Sequence, residues 1–400
     1  MSSNKRLTMG LVGPGFIAPH HIDAVRRLGD VEVVAVAGSN PETARKKADL
    51  LHVRDAYGDF RELIARPDID VIHNTTPNHL HFPVSLAALE AGKHVVSDKP
   101  VAMTSKEAAT LRAAAASAGV VNAVTFNYRG NPLVQQMRLM IEQDKIGRLF
   151  FVHGQYLQDW MTDDHVYSWR SDPAKGGVSS ALADIGSHWC DLAQHVSGAR
   201  IIEVLADMTT IVKTRYTSGA SAEAFSQNNS GEKYPVTVEG EDLASVLVRF
   251  DNGARGCFTV AQVLPGHKNG LEIELNGRAA SLRWVQEEQN EIWIGHHDRP
   301  NETLKKDPSL MLAGAASYAS LPGGHQEGWP DAFRNIIADI YQWIRTGNKP
   351  ATVCTFADAE YTMRVLDAML ASHEAGSVWK QVQLMPGEST APSFATHNSI

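Results

Sequence analysis

The sequence predicts two domains of different class: an α/β domain with a doubly wound parallel sheet, then an α+β domain with a largely antiparallel sheet. Three observations predict this. Apolar, β-rich runs alternate with helical patterns through the first third of the chain, as parallel strands joined by crossover helices do. After about Asn131 the strands come in pairs joined by turns. The length, 400 residues, suits two domains that each bury a core. The expected domains are 1–128 and 129–385, with 386–400 a disordered tail.

Leu7 to Val12 and Val31 to Ala37 read as the first two strands. A helical pattern follows each, near Ile22 to Leu28 and from Glu42 to Leu51, the second capped by Asn40 and opened by Pro41. Short strands are expected at Val71 to Asn74, His94 to Ser97 and Val121 to Asn127. Between them lie helices from Pro83 to Ala91, ending at Gly92, and from Ser105 to Ala118, ending at Gly119.

The texture then changes. A helix over Pro132 to Gln143 leads into the strand-like "RLFFVHGQYL". "VLVRFDNGARGCFTV" and "LEIELNGRAASLRW" each set Asn-Gly between apolar runs, a strong hairpin signal. Helices are expected over Ile185 to Val196, Asp331 to Arg345 and Ala357 to Ala375. The polar stretch "TRYTSGASAEAFSQNNSGEK" reads as a long loop.

Composition narrows the function. The net charge of −8 argues against nucleic acid or an anionic membrane as main partner. No apolar run reaches membrane-spanning length, and "MSSNKRLTMG" runs directly into a strand-like segment with no signal-peptide core. Cys190, Cys257 and Cys354 are widely spaced, which fits reduced thiols in a cytoplasmic protein. The pairs His20-His21 and His296-His297 lack companions at ligand spacing and read as solvated loop residues, so no metal site is expected.

"LVGPGFIAPHH" follows the first strand. Gly13, Gly15 and Ala18 fit the G-x-G-x-x-G/A pattern of a dinucleotide-binding turn, with Phe16 and Ile17 in the same loop. The first glycine permits a tight turn, the second lets backbone approach a pyrophosphate, and Ala18 lets the helix pack on the strand. The second strand ends "VAVAGSN", with Gly38 where an acid would hold the ribose hydroxyls and repel a 2′-phosphate. Ser39, Asn40 and Arg45 or Lys46 are placed to take such a phosphate, unless the two basic residues are merely a solvated helix face. The expected coenzyme is NAD(P), with a slight lean to NADP.

Further polar residues follow later strands: Thr75, Thr76, Pro77, Asn78 and His81, then Asp98 and Lys99 before Pro100. The carboxyl ends of such strands face the ligand crevice. A lysine there is partly desolvated and suited to exchanging protons near neutral pH.

The ordered set "TPNHLH", "AGKHVVSDKP", "FNYRGNP", "WRSDPAKGG" and "ADIGSHWCDL", behind the dinucleotide fingerprint, resembles the Gfo/Idh/MocA oxidoreductases over about Leu7 to Val382. The resemblance implies a Rossmann domain and an NAD(P)-dependent dehydrogenase acting on sugars, inositols and related polyols. It matches "SDKP" to the family's Glu-Lys-Pro, with Asp98 replacing glutamate, and "DIGSHWCD" to its Asp-x-Gly-x-His-x-x-Asp. Lys99, Asp184 and His188 then form the catalytic group. Gly176-Gly177-Val178 departs from the family's three glycines.

Asp184 and His188 stand four apart, so on a helix they share a face, and Gly186 between them is expected to leave room for a ligand. Alcohol oxidation needs a base for the hydroxyl proton. Lys99 and His188 are expected to share that work, with Asp184 orienting. Asn127 is a candidate partner of the nicotinamide amide, and Trp169-Arg170 match a coenzyme-side pair in the family. Tyr128, Arg129, Gln158 and His325 are candidate substrate contacts, joined by the aromatic rings of Trp160 and Trp169; for Arg129 a structural salt bridge is the rival reading.

This set is neutral and aromatic, without a cluster of basic residues to grip phosphate, so it suits an uncharged polyhydroxylated ring. The alternatives are a keto-sugar reductase of the same fold and a non-catalytic coenzyme-binding regulator. The weaker third idea is a metal hydrolase, for which Asp184 and His188 supply only two groups. The open face of the antiparallel sheet is expected to pair subunits into a homodimer or homotetramer.

Overall fold

The computed structural model describes residues 6–218 and 232–384. Contacts divide the chain into two compact units. One comprises the chain up to Asn127, Ala174–Gly177 and Trp329–Tyr361; the other comprises Tyr128–Pro173, Val178–Gly328 and the chain from Thr362.

The first unit begins β1 (Leu7–Val12), α1 (Ala18–Leu28), β2 (Val31–Ala37), α2 (Pro41–Leu50), β3 (Asp55–Tyr57) and α3 (Phe60–Ile64). It continues β4 (Val71–Asn74), α4 (Asn78–Glu90), β5 (His94–Ser97), α5 (Ser105–Ala118) and β6 (Asn122–Val124). The six strands form a parallel sheet in the order β3-β2-β1-β4-β5-β6. All four residues of β4 are buried, as in a sheet covered on both faces. The strand order reverses between β1 and β4, the point where such sheets bind ligands.

After the 3₁₀ turn Asn127–Gly130 the second unit has α6 (Pro132–Glu142) and β7 (Leu149–Leu157); the single turn α7 (Pro173–Gly176) falls mostly in the first unit. A π-helical turn, Leu182–Gly186, runs into α8 (Ser187–Ser197). Then come β8 (Ile201–Thr209), β9 (Thr214–Thr217), β10 (Tyr234–Thr237), β11 (Leu243–Phe250), β12 (Arg255–Ala261), β13 (Gly270–Gly277), β14 (Ala280–Val285), β15 (Glu291–His296), β16 (Glu302–Lys305) and α9 (Ala313–Ala316). The chain ends α10 (Trp329–Thr346), α11 (Phe356–Glu374) and β17 (Lys380–Gln381). Nine strands make one sheet, antiparallel except for the β7–β12 pair. Burial alternates along β8, β11 and β13. Trp189 of α8 stacks on Phe258 at 4.3 Å between centroids, covering one face.

The expected fold class holds in both sheets, and both Asn-Gly segments form hairpins. Several local expectations change. Helix α1 begins at Ala18, four residues before the apolar period is visible, because polar His20 and a proline fill its first turn. Helix α4 begins at Asn78 and carries Pro83 in its interior, at the cost of one backbone hydrogen bond. Strand β6 stops at Val124, where the chain turns toward its 3₁₀ segment. Strand β3 and helix α3 gave no sequence signal, being only 3 and 5 residues long. Thr214–Thr217, expected in a loop, pairs with β10; residues 219–231 of that loop and the 386–400 tail lie outside the described residues.

Helix α10 belongs to the first unit. Its Phe333, Ile336, Ile337, Ile340 and Tyr341 share a buried cluster with Ile22 and Val25 of α1. Each such aliphatic or aromatic side chain contributes roughly 1.5–3 kcal/mol when fully buried. His21 lies in this core, correcting its reading as a solvated loop residue. Its Nδ1 meets His73 Nδ1 at 2.9 Å, and His73 Nε2 meets the Tyr341 hydroxyl at 3.2 Å. His296, also read as solvated, ends β15 with its Nε2 3.2 Å from the Glu302 carboxylate.

Candidate active site

In the first unit the turn after β1 rests on the turn after β4. Gly13 has φ of 89°, and a Cβ there would lie 2.7 Å from Thr76 backbone. Both demands select glycine. Thr75 Oγ1 donates to the Val12 and Gly13 carbonyls at 3.0 and 2.7 Å. Thr76 Oγ1 donates to Asn74 Oδ1, and Asn78 Nδ2 to the Gly176 carbonyl. These polar side chains hold the turns together. A Cβ on Gly15, by contrast, would meet nothing within 4 Å, so the surface above it is open as a pyrophosphate requires. Fully buried Ala18 opens α1 on Ile17, and Phe16 stands exposed beside His20.

His81 does not fit the coenzyme contact expected of it. It is 1% exposed, with Nδ1 2.5 Å from the Pro100 carbonyl and Nε2 2.7 Å from the Thr76 carbonyl. It is a strut between the β4 turn and the turn that carries Lys99. Burial lowers its pKa, opposed by the Asp98 carboxylate and the two carbonyls. Asp98 is fixed by Thr125, whose hydroxyl donates to Oδ1 at 3.0 Å. Asn127 is 3% exposed, and its Nδ2 has no protein acceptor, a donor suited to a ligand amide.

At the end of β2 a Cβ on Gly38 would come within 3.1–3.3 Å of Ala44, so no acid fits there without moving α2. Asn40 Oδ1 caps α2 by accepting from Thr43 N. Arg45 pairs with Asp49 and donates to the Val53 and Arg54 carbonyls. Lys46 pairs with Glu42. Ser39 Oγ stands 3.5 Å from Thr43 Oγ1 at the exposed start of α2.

In the second unit, Asp184 sits in the π-helical turn, not at the start of an α-helix as the spacing predicts. Its Oδ1 accepts from Arg170 Nε at 3.3 Å and its Oδ2 from Gln262 Nε2 at 2.8 Å. The Arg170 guanidinium also lies 4.6 Å from the Trp169 ring centroid. The buried carboxylate of Glu241 anchors this turn, accepting from Ser179 Oγ and from the backbone N–H groups of Ser180 and Leu182. π-Turns recur at functional sites because they re-aim one side chain. Gly186 leaves no ligand room: a Cβ on it would meet Leu182 Cδ1 at 2.8 Å. Its role is to let the turn close.

His188 is 8% exposed and lies edge-to-face against Tyr128 and Tyr156, with centroids 5.1 and 6.1 Å away. The Tyr128 and Tyr156 hydroxyls are 2.7 Å apart. Asn269 bonds both, and Gln158 Nε2 donates to Asn269 Oδ1 at 3.3 Å. Trp160 Nε1 donates to Gln158 Oε1 at 2.9 Å. Arg129 forms the salt bridge of its rival reading: Nε and Nη2 bond Asp191 at 2.8 and 2.5 Å, both residues being buried. A charge that deep must be paired. His325 is exposed and lines a cleft of about 660 Å³ with Glu287, Glu291, Lys305 and Glu327, a cleft that none of Tyr128, Asp184 or His188 lines. Val178, the departure after Gly177, is 74% exposed.

Two family descriptions match the chain: "Oxidoreductase family, NAD-binding Rossmann fold" over residues 7–126, and "GFO/IDH/MocA C-terminal domain" over residues 134–283. The levoglucosan dehydrogenase of Pseudarthrobacter phenanthrenivorans is 33% identical over 300 residues, covering 72% of this chain and 76% of the relative. The chain belongs to the Gfo/Idh/MocA oxidoreductases. A solved levoglucosan dehydrogenase in complex with NADH and L-sorbose superposes with a TM-score of 0.86 at 29% identity, covering 94% of this chain and 99% of that one. An inositol dehydrogenase homolog from Azotobacter vinelandii, complexed with NAD+, gives 0.81 at 26% identity, covering 95% and 100%. The 1,5-anhydro-D-fructose reductase of Ensifer adhaerens is 32% identical over 191 residues, 47% of this chain and 55% of the relative. This Gfo/Idh/MocA protein is an NAD(P)-dependent dehydrogenase acting on CH–OH groups. No helix among its described residues is long and apolar enough to cross a membrane.

Sequence reasoning missed Tyr156, Glu241, Gln262 and Asn269. Tyr156 lies in a strand and the other three in connections between strands, where a lone polar residue carries no pattern. Only the fold brings them to Asp184 and His188.

Proposed function

We propose that this dehydrogenase interconverts a ring hydroxyl and a ketone on a neutral cyclic sugar, sugar derivative or inositol. The observation that carries this reading is the state of the charges around Asp184 and His188. Arg129 is held by Asp191, and Arg170 pairs through Nε with Asp184 while its buried Nη1 has no partner; amide, hydroxyl, indole and imidazole groups make up the rest of the set. Such a set suits an uncharged polyol and offers little to a phosphate. The relatives' names carry the same chemistry: a levoglucosan dehydrogenase, a 1,5-anhydro-D-fructose reductase and an inositol dehydrogenase homolog.

Gly13, Gly15, Phe16, Ile17 and the N-terminus of α1 would hold the coenzyme pyrophosphate, and Asn127 its carboxamide. A bound nicotinamide supplies the hydride acceptor. Lys99 and His188 share the hydroxyl proton, and Asp184, fixed by Gln262 and Arg170, orients the reacting hydroxyl. With Arg45 engaged, the lean to NADP rests on Ser39 and on the missing acid at Gly38. The reductase direction is kept, since one relative is named for it.

The open face of the nine-stranded sheet exposes Phe151 and Leu247, and a second copy of the chain covers it in a homodimer or homotetramer. One spectrophotometric screen tests the function: NAD+ and NADP+ against unphosphorylated sugars, anhydrosugars, inositols and sugar phosphates. Turnover on neutral rings supports the reading. Turnover confined to phosphorylated or acidic substrates overturns it.

A further inference from the structure

We infer that Asn269 is a positioning residue for the reaction, acting by locking Tyr128 and Tyr156 into a cradle around the His188 imidazole. This rests on the proposed role of His188. The hydrogen bonds close a ring of three groups. The Tyr156 hydroxyl donates to Asn269 Oδ1 at 2.5 Å, Asn269 Nδ2 donates to the Tyr128 oxygen at 3.2 Å, and the Tyr128 hydroxyl lies 2.7 Å from the Tyr156 oxygen. Each member then donates once and accepts once within the ring. An amide can close it because it carries a donor and an acceptor; a carboxylate or an aliphatic group cannot. Gln158 adds a second donor to Asn269 Oδ1, and Glu287 Oε1 accepts from the Asn269 backbone N–H at 2.7 Å.

The tyrosines are 5% and 3% exposed, so their ring planes are set by packing and by these hydroxyl ties together. Both rings stand at 60–70° to the imidazole: 67° for Tyr128 and 62° for Tyr156. Rings in edge-to-face contact restrict each other's orientation. The cradle therefore fixes the orientation of the His188 imidazole and the surroundings in which it receives a proton. Two carboxylates on the neighbouring turns are paired. Asp184 on the π-helical turn is held by Arg170 and Gln262, and Asp191 on α8 is neutralised by Arg129. On β7, Tyr156 is held neutral, since burial raises its pKa well above the ordinary phenol.

The test is an imidazole NMR titration of the coenzyme-free protein, with the His188 signal assigned by its loss in His188→Asn. In Asn269→Leu the His188 midpoint should move by about half a pH unit or more. Tyr156→Phe, which keeps the ring but removes its donor, should move the midpoint in the same sense as Asn269→Leu and covers the case in which a residue-269 variant fails to fold. Unchanged midpoints in Asn269→Leu and Tyr156→Phe overturn the inference. A His188→Asn enzyme with normal kcat overturns the proposed role of His188 instead, so the two failures are distinguishable.

Discussion

Gln262 Nε2 donates to Asp184 Oδ2 over 2.8 Å, and Gln262 is itself 2% exposed. The glutamine sits just beyond β12, so the nine-stranded sheet fixes a carboxylate that lies on a π-helical turn. The orienting role proposed for Asp184 depends on this bond and on the Arg170 pair. Gln262→Leu is therefore expected to raise KM for the alcohol and lower kcat about tenfold, by loosening a positioned group. Steady-state kinetics check this; a variant with both constants unchanged would mean that Arg170 suffices.

Gly13 and Gly15 should fail in different ways. A methyl group on Gly13 strains a φ of 89° and meets Thr76 backbone at 2.7 Å, so Gly13→Ala is expected to lose about 1–3 kcal/mol of stability. Gly15→Ala meets nothing within 4 Å, so its unfolding midpoint should match wild type while coenzyme affinity falls. Denaturant melts alongside fluorescence titrations with NADH and NADPH separate the two. Equal coenzyme affinity in Gly15→Ala and wild type would place the pyrophosphate elsewhere.

Arg129 and Asp191 should behave as a buried pair. Removing one partner strands a charge, so Arg129→Met is expected to destabilise by about 3–5 kcal/mol. Arg129→Met with Asp191→Leu should recover most of that loss. Urea unfolding of the three proteins measures it. An Arg129→Met protein of wild-type stability with a raised KM would return Arg129 to the substrate.

The first unit should be acid-sensitive through His21 and His73. Burial lowers the His21 pKa from 6.5 to about 4 and pushes His73 well below the ordinary value. Below pH 6.5 the unfolded chain therefore binds protons that the folded unit refuses. Stability from these groups is full above the unfolded value and is lost as pH falls from 6.5 toward 4. For His21 alone the loss approaches about 3 kcal/mol. Thermal melts between pH 7.5 and 4.5 should show the decline, and His21→Leu with His73→Leu should flatten it. A double variant with the wild-type slope would assign the acid sensitivity to other groups.

The legible parts of the sequence were those where backbone physics restricts the residue. Gly13 in its left-handed turn, Asn40 as the cap of α2 and the two Asn-Gly hairpins were each visible locally. The regular alternation of strands and helices gave the sheet classes. What was not legible depends on partners far along the chain. Arg129 reads equally as a substrate contact or as half of a salt bridge until Asp191, 62 residues later, comes beside it. His21 looked like loop until His73 and Tyr341 closed over it. The π-helical turn was hidden because Asp184 and His188 are four apart, the spacing of an ordinary helix.

The role proposed for Lys99, taking the hydroxyl proton of a neutral polyol, is checked by comparing wild type with Lys99→Met on the best substrate of the screen, following reduced nicotinamide absorbance and measuring coenzyme affinity in parallel. The expected kcat is lower by about two to four orders of magnitude with coenzyme affinity retained. A Lys99→Met enzyme that binds coenzyme normally and turns over within a few-fold of wild type would contradict it.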